Sequence, residues 1–217
     1  MVINMSRILS RTNVGSHMWG MERPDSDIDL FEIYLEDTAE ILLGRDCKSY
    51  CTKIPCTPPK DIAGHELGKA MNMVIRGNVN FVWGVFSPIV ETTTKEFEQL
   101  KKLAELNTSK LMYKSIHGMS KHNIEHLNQA GLTEKKARTI LRTIDFGINF
   151  LQTGTYKFKK NTEELPGDYK STVGVINQRL QVLEYSLKIS PLPELPEFQD
   201  EANDWLIKVR LKELGVN

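Results

Sequence analysis

The tightest constraint on this chain is the step from Asp27-Ile28-Asp29 into the run Leu30-Phe31-Glu32-Ile33-Tyr34-Leu35. Asp27, Asp29, Phe31, Ile33 and Leu35 alternate with Ile28, Leu30, Glu32 and Tyr34, and beyond Asp29 both sides are mostly apolar. That pattern reads as a mostly buried strand. Alternation puts Asp27 and Asp29 on one face, roughly 6.5–7 Å apart along the strand. Like charges ~4 Å apart repel by about 4 kcal/mol at an effective dielectric of about 20. Two carboxylates on a stiff element therefore call for a cation between them. Oxygen-only ligands favour a hard ion, Mg²⁺ or Mn²⁺, which binds through one or two carboxylates plus substrate phosphates. An exposed turn would explain Pro24 to Ser26 but not a second Asp leading into an apolar strand.

Upstream stand Gly15 and Ser16. Glycine lets the backbone approach a ligand closely or take positive φ, and Ser16 offers a hydroxyl and an N–H to a phosphate. Together these residues form Gly-Ser, a gap of ten, then Asp-x-Asp. The pattern resembles the signature of the DNA polymerase β-like nucleotidyltransferases. With Trp19-Gly20 and Pro24-Asp25-Ser26-Asp27, the string is most similar to the RlaP or RNA-repair branch of that superfamily.

A two-metal phosphoryl-transfer centre needs a third carboxylate as a rule. Asp61 is the candidate: it follows the Pro55, Pro58, Pro59 break and precedes a helix, with Glu66 as runner-up. A helix N-cap is the plainer reading of Asp61. The stretch from Asp61 to Pro88 resembles the RlaP pattern of an Asp, a helix containing a Lys, then Gly-Asn and an apolar run. The resemblance carries the acidic role to Asp61, the lysine to Lys69 and the Gly-Asn to Gly77-Asn78. Val79 and Trp83 depart from it, standing where the branch tends to have Pro and Glu. A late basic helix, residues 133–153, is similar to the family's as well, and Lys136 and Arg142 are carried over as triphosphate or acceptor contacts. The plainer reading of both, and of Lys69, is a solvated helix face.

Lys+Arg and Asp+Glu each number 28, a formal net charge of zero. That speaks against stable binding along long DNA, which needs a basic surplus, and leaves room for a local basic groove. No apolar run approaches the ~20 residues that span a bilayer, and the first residues lack the apolar core of a signal peptide, so the expected compartment is the cytoplasm. Cys47, Cys51 and Cys56 make an odd, clustered set. Without an export signal they read as reduced thiols rather than as a disulfide framework, and their spacing is not that of a zinc knuckle.

Along the chain, a strand is expected to end near Val14, a phosphate-facing loop to fill 15–26, and the acidic strand to run to about Leu35. A second strand is expected at 48–54, a short one at 60–62, and a helix from His65 to Arg76 that ends at Gly77. Residues 76–88 are rich in aromatic and β-branched residues. Further helices are expected at 95–106, at 109–129 with a break near Gly118, at 133–153 between a Thr133 cap and Gly154, at 171–188, and from an Asp200 cap to Gly215. Strand-and-loop thus gives way to helix near residue 90. The expected fold is α/β (α+β): a small mixed-sheet nucleotidyltransferase lobe, 1–92, with a helical lobe, 93–217.

What the resemblance implies is a metal-dependent nucleotidyltransferase. Asp27, Asp29 and Asp61 would be the catalytic and metal-holding residues. Gly15, Ser16, Lys69, Lys136 and Arg142 would bind the nucleotide, ATP being the expected NTP. The acceptor would be an RNA end or a protein, as in proteins of this signature that adenylylate a toxin. A catalytically idle nucleotide-binding module is the rival class.

Overall fold

The apolar run after Asp29 forms the middle of a sheet. In the computed structural model, which describes residues 7–45, 48–131 and 133–216, β1 (Arg7–Asn13) leads through the short helix α1 (Gly15–Met18) to β2 (Ile28–Leu35). From Leu30 to Leu35 every residue of β2 is buried. After α2 (Thr38–Leu42) come β3 (Ser49–Ile54) and β4 (Lys60–Glu66), then α3 (Leu67–Ile75), α4 (Val79–Phe86) and β5 (Val90–Thr92). The strand order is β3-β4-β2-β1-β5. β2 and β4 run parallel and the other pairs antiparallel, so the sheet is mixed as expected.

Helix α4 lies against the face that carries Phe31. A Cβ on Gly84 would stand 2.3 Å from the Phe31 ring, so only glycine lets helix and strand approach this closely. Phe81 meets the same ring edge-on at 5.5 Å. Thr12 donates from Oγ1 to the Gly84 carbonyl at 2.7 Å and fixes the helix to β1. Helix α5 (Lys95–Leu106) buries Phe97, Leu100, Leu103 and Ala104.

The remaining helices are α6 (Met112–Ala130), α7 (Glu134–Thr153), α8 (Tyr169–Ile189) and α9 (Gln199–Glu213). The chain forms two compact units. The first runs through Asn107 and takes the chain back at Pro196; the second is Thr108–Leu195. In the second unit α6, α7 and α8 meet around Gly147, where a Cβ would lie 2.9 Å from Ile116 and Leu183. Thr133 caps α7 through the Lys136 N–H, and Gly154 closes it at φ +68, both as expected.

Four expectations are corrected. β4 continues through His65, because Asp61, Ala63 and His65 keep strand alternation, and the helix begins at Leu67. Residues 79–86, left without an element by the sequence, are a helix capped by Asn78. Gly118 does not break α6; a mid-helix glycine costs about 1 kcal/mol, offset by burial of Met112, Ile116 and Leu127. Asp200 sits in the first turn of α9, and the cap position is Phe198. Cys51 and Cys56 are exposed thiols, while Cys47 lies outside the described residues. No helix among the described residues is long and apolar enough to cross a membrane.

Candidate active site

The Val14 N–H donates to the Asp29 carbonyl at 2.7 Å, which ties the end of β1 to the start of β2. The chain then leaves the sheet at Gly15, whose φ is +64. A Cβ on Gly15 would fall 1.9 Å from Oδ2 of Asp29. The Asp29 carboxylate thus packs against a bare Cα, and the next residue, Ser16, begins the turn of α1. The Ser16 carbonyl accepts from the N–H groups of Trp19 at 3.2 Å and Met21 at 2.9 Å, which holds the loop in shape. His17 Nε2 is buried and has no hydrogen-bond partner among the described residues. Trp19, from the same loop, meets Trp83 of α4 edge-on at 5.3 Å, so one of the two positions that depart from the family pattern packs on the loop itself.

The parallel pairing of β2 and β4 sets Asp29 directly opposite Asp61. Neighbouring strands lie about 4.8 Å apart; Asp27 stands just before β2, which begins at Ile28, one residue later than the sequence pattern implied. Asp61 is itself a strand residue. The cap expected of it belongs to Glu66, which accepts from the N–H groups of Gly68 at 2.6 Å and Lys69 at 3.4 Å. Glu66 is buried and paired with Arg210, which removes it as an alternative to Asp61.

One residue at this point escaped the sequence reading. Lys53 of β3 pairs in register with Asp61, and its ammonium donates to Asp61 Oδ2 at 2.8 Å. The Lys53 pKa is raised, first by that hydrogen bond and the Asp61 charge, with smaller contributions from Asp27 and Asp29. The signal was available: β3 and β4 form a hairpin about the prolines, and Ser49, Cys51 and Lys53 alternate onto the face of Asp61.

Among the described residues the side chains form no ready group of three His, Cys, Asp or Glu around an ion. The donor set nevertheless fits a hard divalent cation. All three candidates are carboxylates, Asp29 lies in a glycine cradle, and the Lys53 ammonium supplies positive charge at Asp61.

Lys69 lies farther along the same sheet face. Its ammonium donates to Ser49 Oγ at 2.6 Å, and that oxygen is 2.7 Å from His65 Nδ1. His65 packs between Phe31 and Phe81, with ring centroids at 4.8 and 4.5 Å. Burial, then the Lys69 charge, lowers its pKa to about 4, so the imidazole is neutral at pH 7. His65 is four residues beyond Asp61 in β4, about 13 Å along the strand.

Lys136 and Arg142 belong to the second unit. Lys136 is exposed, and Arg142 is desolvated enough that its pKa falls to about 10. The face of α7 that carries Arg142 is covered rather than solvated. Arg138 donates to the carbonyls of Asn161 at 2.9 Å and Glu163 at 3.0 Å, and Asp145 accepts from Asn161 at 2.9 Å. Arg179 of α8 bridges Asp145 at 3.2 Å and Glu163 at 2.5 Å.

Comparison with known proteins gives one family: the model of RlaP, described as the RNA repair pathway DNA polymerase beta family, matches residues 3–203. A search of curated proteins gives no match.

Proposed function

Since the chain belongs to the RlaP family of polymerase beta-like proteins, we propose that it transfers an NMP from an NTP, ATP in the first instance, to a hydroxyl of an RNA end. The observation that carries this reading is the register of Asp29 against Asp61, with Gly15 packed on the Asp29 carboxylate.

Each group has a task in that reaction. Asp27, Asp29 and Asp61 would hold Mg²⁺ or Mn²⁺, which supplies positive charge to the phosphates and to the oxygens that attack and leave. Gly15 and Ser16 face the β- and γ-phosphates through backbone N–H groups and the Ser16 hydroxyl. Asp61 takes the proton of the acceptor hydroxyl. That oxygen forms a bond to the α-phosphorus while the bridge to the β-phosphate breaks, and pyrophosphate leaves with the electron pair. Lys53, drawn off Asp61, would meet the departing phosphates. Lys69 is proposed as a further cation for the triphosphate, and its replacement by Gln should raise KM for the NTP; Lys136 and Arg142 stand in the second unit and are assigned no step.

The test is transfer of label from each α-³²P NTP to bulk RNA and to bulk protein. The expected result is label in RNA, lost in Asp27→Asn/Asp29→Asn while circular dichroism stays unchanged. Equal transfer by that variant would overturn the reading. Label in protein alone would make the acceptor a protein, and tight NTP binding with no transfer would make this a nucleotide sensor.

A further inference from the structure

At the end of the sheet away from the carboxylates lies a cleft of about 710 Å³, bounded by α5, α9 and the paired residues Arg7 and Leu35. Leu35 is six residues beyond Asp29, about 20 Å along the strand. The cleft lies within the first unit and is not part of the site described above. Its size falls in the ~300–1,000 Å³ span of ligand sites.

Helix α9 turns one face to the cleft: Trp205, Lys208, Val209 and Lys212, at i, i+3, i+4 and i+7. Leu35 is buried and Trp205 and Val209 are half-buried, so the floor is apolar with an indole in it. Lys208 and Lys212 are exposed, and Lys95 of α5 joins them. The two carboxylates of the lining are already engaged. Glu96 accepts from Arg7 at 2.9 Å, and Glu213 accepts from Thr38 and faces Arg210 at 3.8 Å. None of the three lysines makes a close ion pair among the described residues, though the Lys212 charge reaches Glu96 and helps lower its pKa, after the Arg7 hydrogen bond. In a chain of zero formal charge, this is a local excess of cations beside an aromatic ring.

We propose that this cleft binds single-stranded RNA, a base lying against Trp205 and successive phosphates along Lys95, Lys208 and Lys212. The spread of the ammoniums selects a strand over a lone nucleotide. They sit on two helices, and Lys208 and Lys212 are about 6 Å apart along α9, whereas a single phosphate is held by groups that converge. Base–aromatic stacking tolerates any sequence, which suits an enzyme that acts on an end. The inference rests on the reading that RNA is the acceptor and gives that acceptor a second hold on the protein.

Binding of a short fluorescein-labelled oligouridylate to the intact protein, followed by anisotropy, tests it. In Lys95→Glu/Lys208→Glu affinity should fall at least tenfold, and the slope of log K against log salt should drop by about 1.4 for two lost phosphate contacts. An acid at the start of α5 suits the helix dipole, so this variant should fold as the wild type does. Trp205→Leu should weaken binding about tenfold. Unchanged affinity and salt slope in the lysine variant would overturn the proposal, as would free UMP competing as well as the strand. Asp27→Asn/Asp29→Asn should bind the oligomer normally, and Lys95→Glu/Lys208→Glu should still transfer NMP to a dinucleotide. Loss of transfer and loss of strand binding therefore report on separate sites.

Discussion

Gly15 shows how much a missing side chain can decide. At φ +64 an alanine would pay roughly 1–2 kcal/mol for the left-handed conformation. Its Cβ would also have to displace an Asp29 oxygen that lies 1.9 Å from the ideal position. An ångström of misplacement can cost about a hundredfold in rate, so Gly15→Ala should lower kcat by about that much. Urea denaturation should meanwhile show a loss of at least about 1–2 kcal/mol, the part due to the backbone conformation. Normal turnover in that variant would mean that the Asp29 carboxylate does not act from where it lies. Lys53 invites the converse experiment. Its ammonium holds Asp61 Oδ2 at 2.8 Å, so a divalent ion must compete with it. Lys53→Met should bind Mn²⁺ a few fold more tightly in the absence of nucleotide, as read by titration calorimetry. The same change should raise KM for the NTP, because the displaced ammonium no longer meets the phosphates. Weaker Mn²⁺ binding would show that Lys53 supports the carboxylates instead of competing for them.

At the next scale, β3, β4 and α3 are joined by Ser49, His65 and Lys69. The folded pKa of His65, about 4, lies below its ordinary 6.5. Between those values the unfolded chain binds a proton that the folded chain refuses. The contribution of His65 is therefore whole above pH 6.5 and is lost as pH falls toward 4. Thermal unfolding followed from pH 7 to 4 should show a falling Tm, and His65→Gln should flatten the slope in that window. An identical slope in the variant would show that other groups set it. Sequence alone revealed the strand that carries Asp29, the α7 caps and the stripe of α5, because each is written in local spacing. It stopped β4 too early, since His65 has no apolar signature and its neighbours on the strand, Phe31 and Ser49, are remote in sequence. It left α4 unassigned because Val79, Phe81, Val82 and Val85 favour strands intrinsically. Burial against the sheet and the Asn78 cap override that preference. Lys53 was hidden for a related reason: its meaning comes from hairpin register, and register is decided by pairing.

For the molecule as a whole, the telling feature is that the chain leaves the sheet unit after Asn107 and returns to it at Pro196. The shift from strand to helix near residue 90 was visible in the composition. That α5 and α9 group with the sheet was not, because amphipathic helices carry no address. The return is fastened by polar groups. Asn107 donates to the Phe198 carbonyl at 3.0 Å and accepts from its N–H at 3.1 Å. Arg210 donates to the Glu36 carbonyl at 2.8 Å and pairs with Glu66, which is 5% exposed and also caps α3. Removing one partner of a buried pair costs about 3–5 kcal/mol, because the other charge is left without compensation. Against a typical stability of about 5–15 kcal/mol, that is enough to loosen the end of β4 and the start of α3 together. Arg210→Met should therefore lose about 3 kcal/mol or more in urea denaturation. Glu66→Gln/Arg210→Met should recover part of that loss, since Gln keeps an acceptor for the N–H groups of Gly68 and Lys69 and buries no charge. If the double variant is as unstable as the single one, the Met side chain itself is the fault, and α9 is held by packing around Ala202 rather than by its arginine.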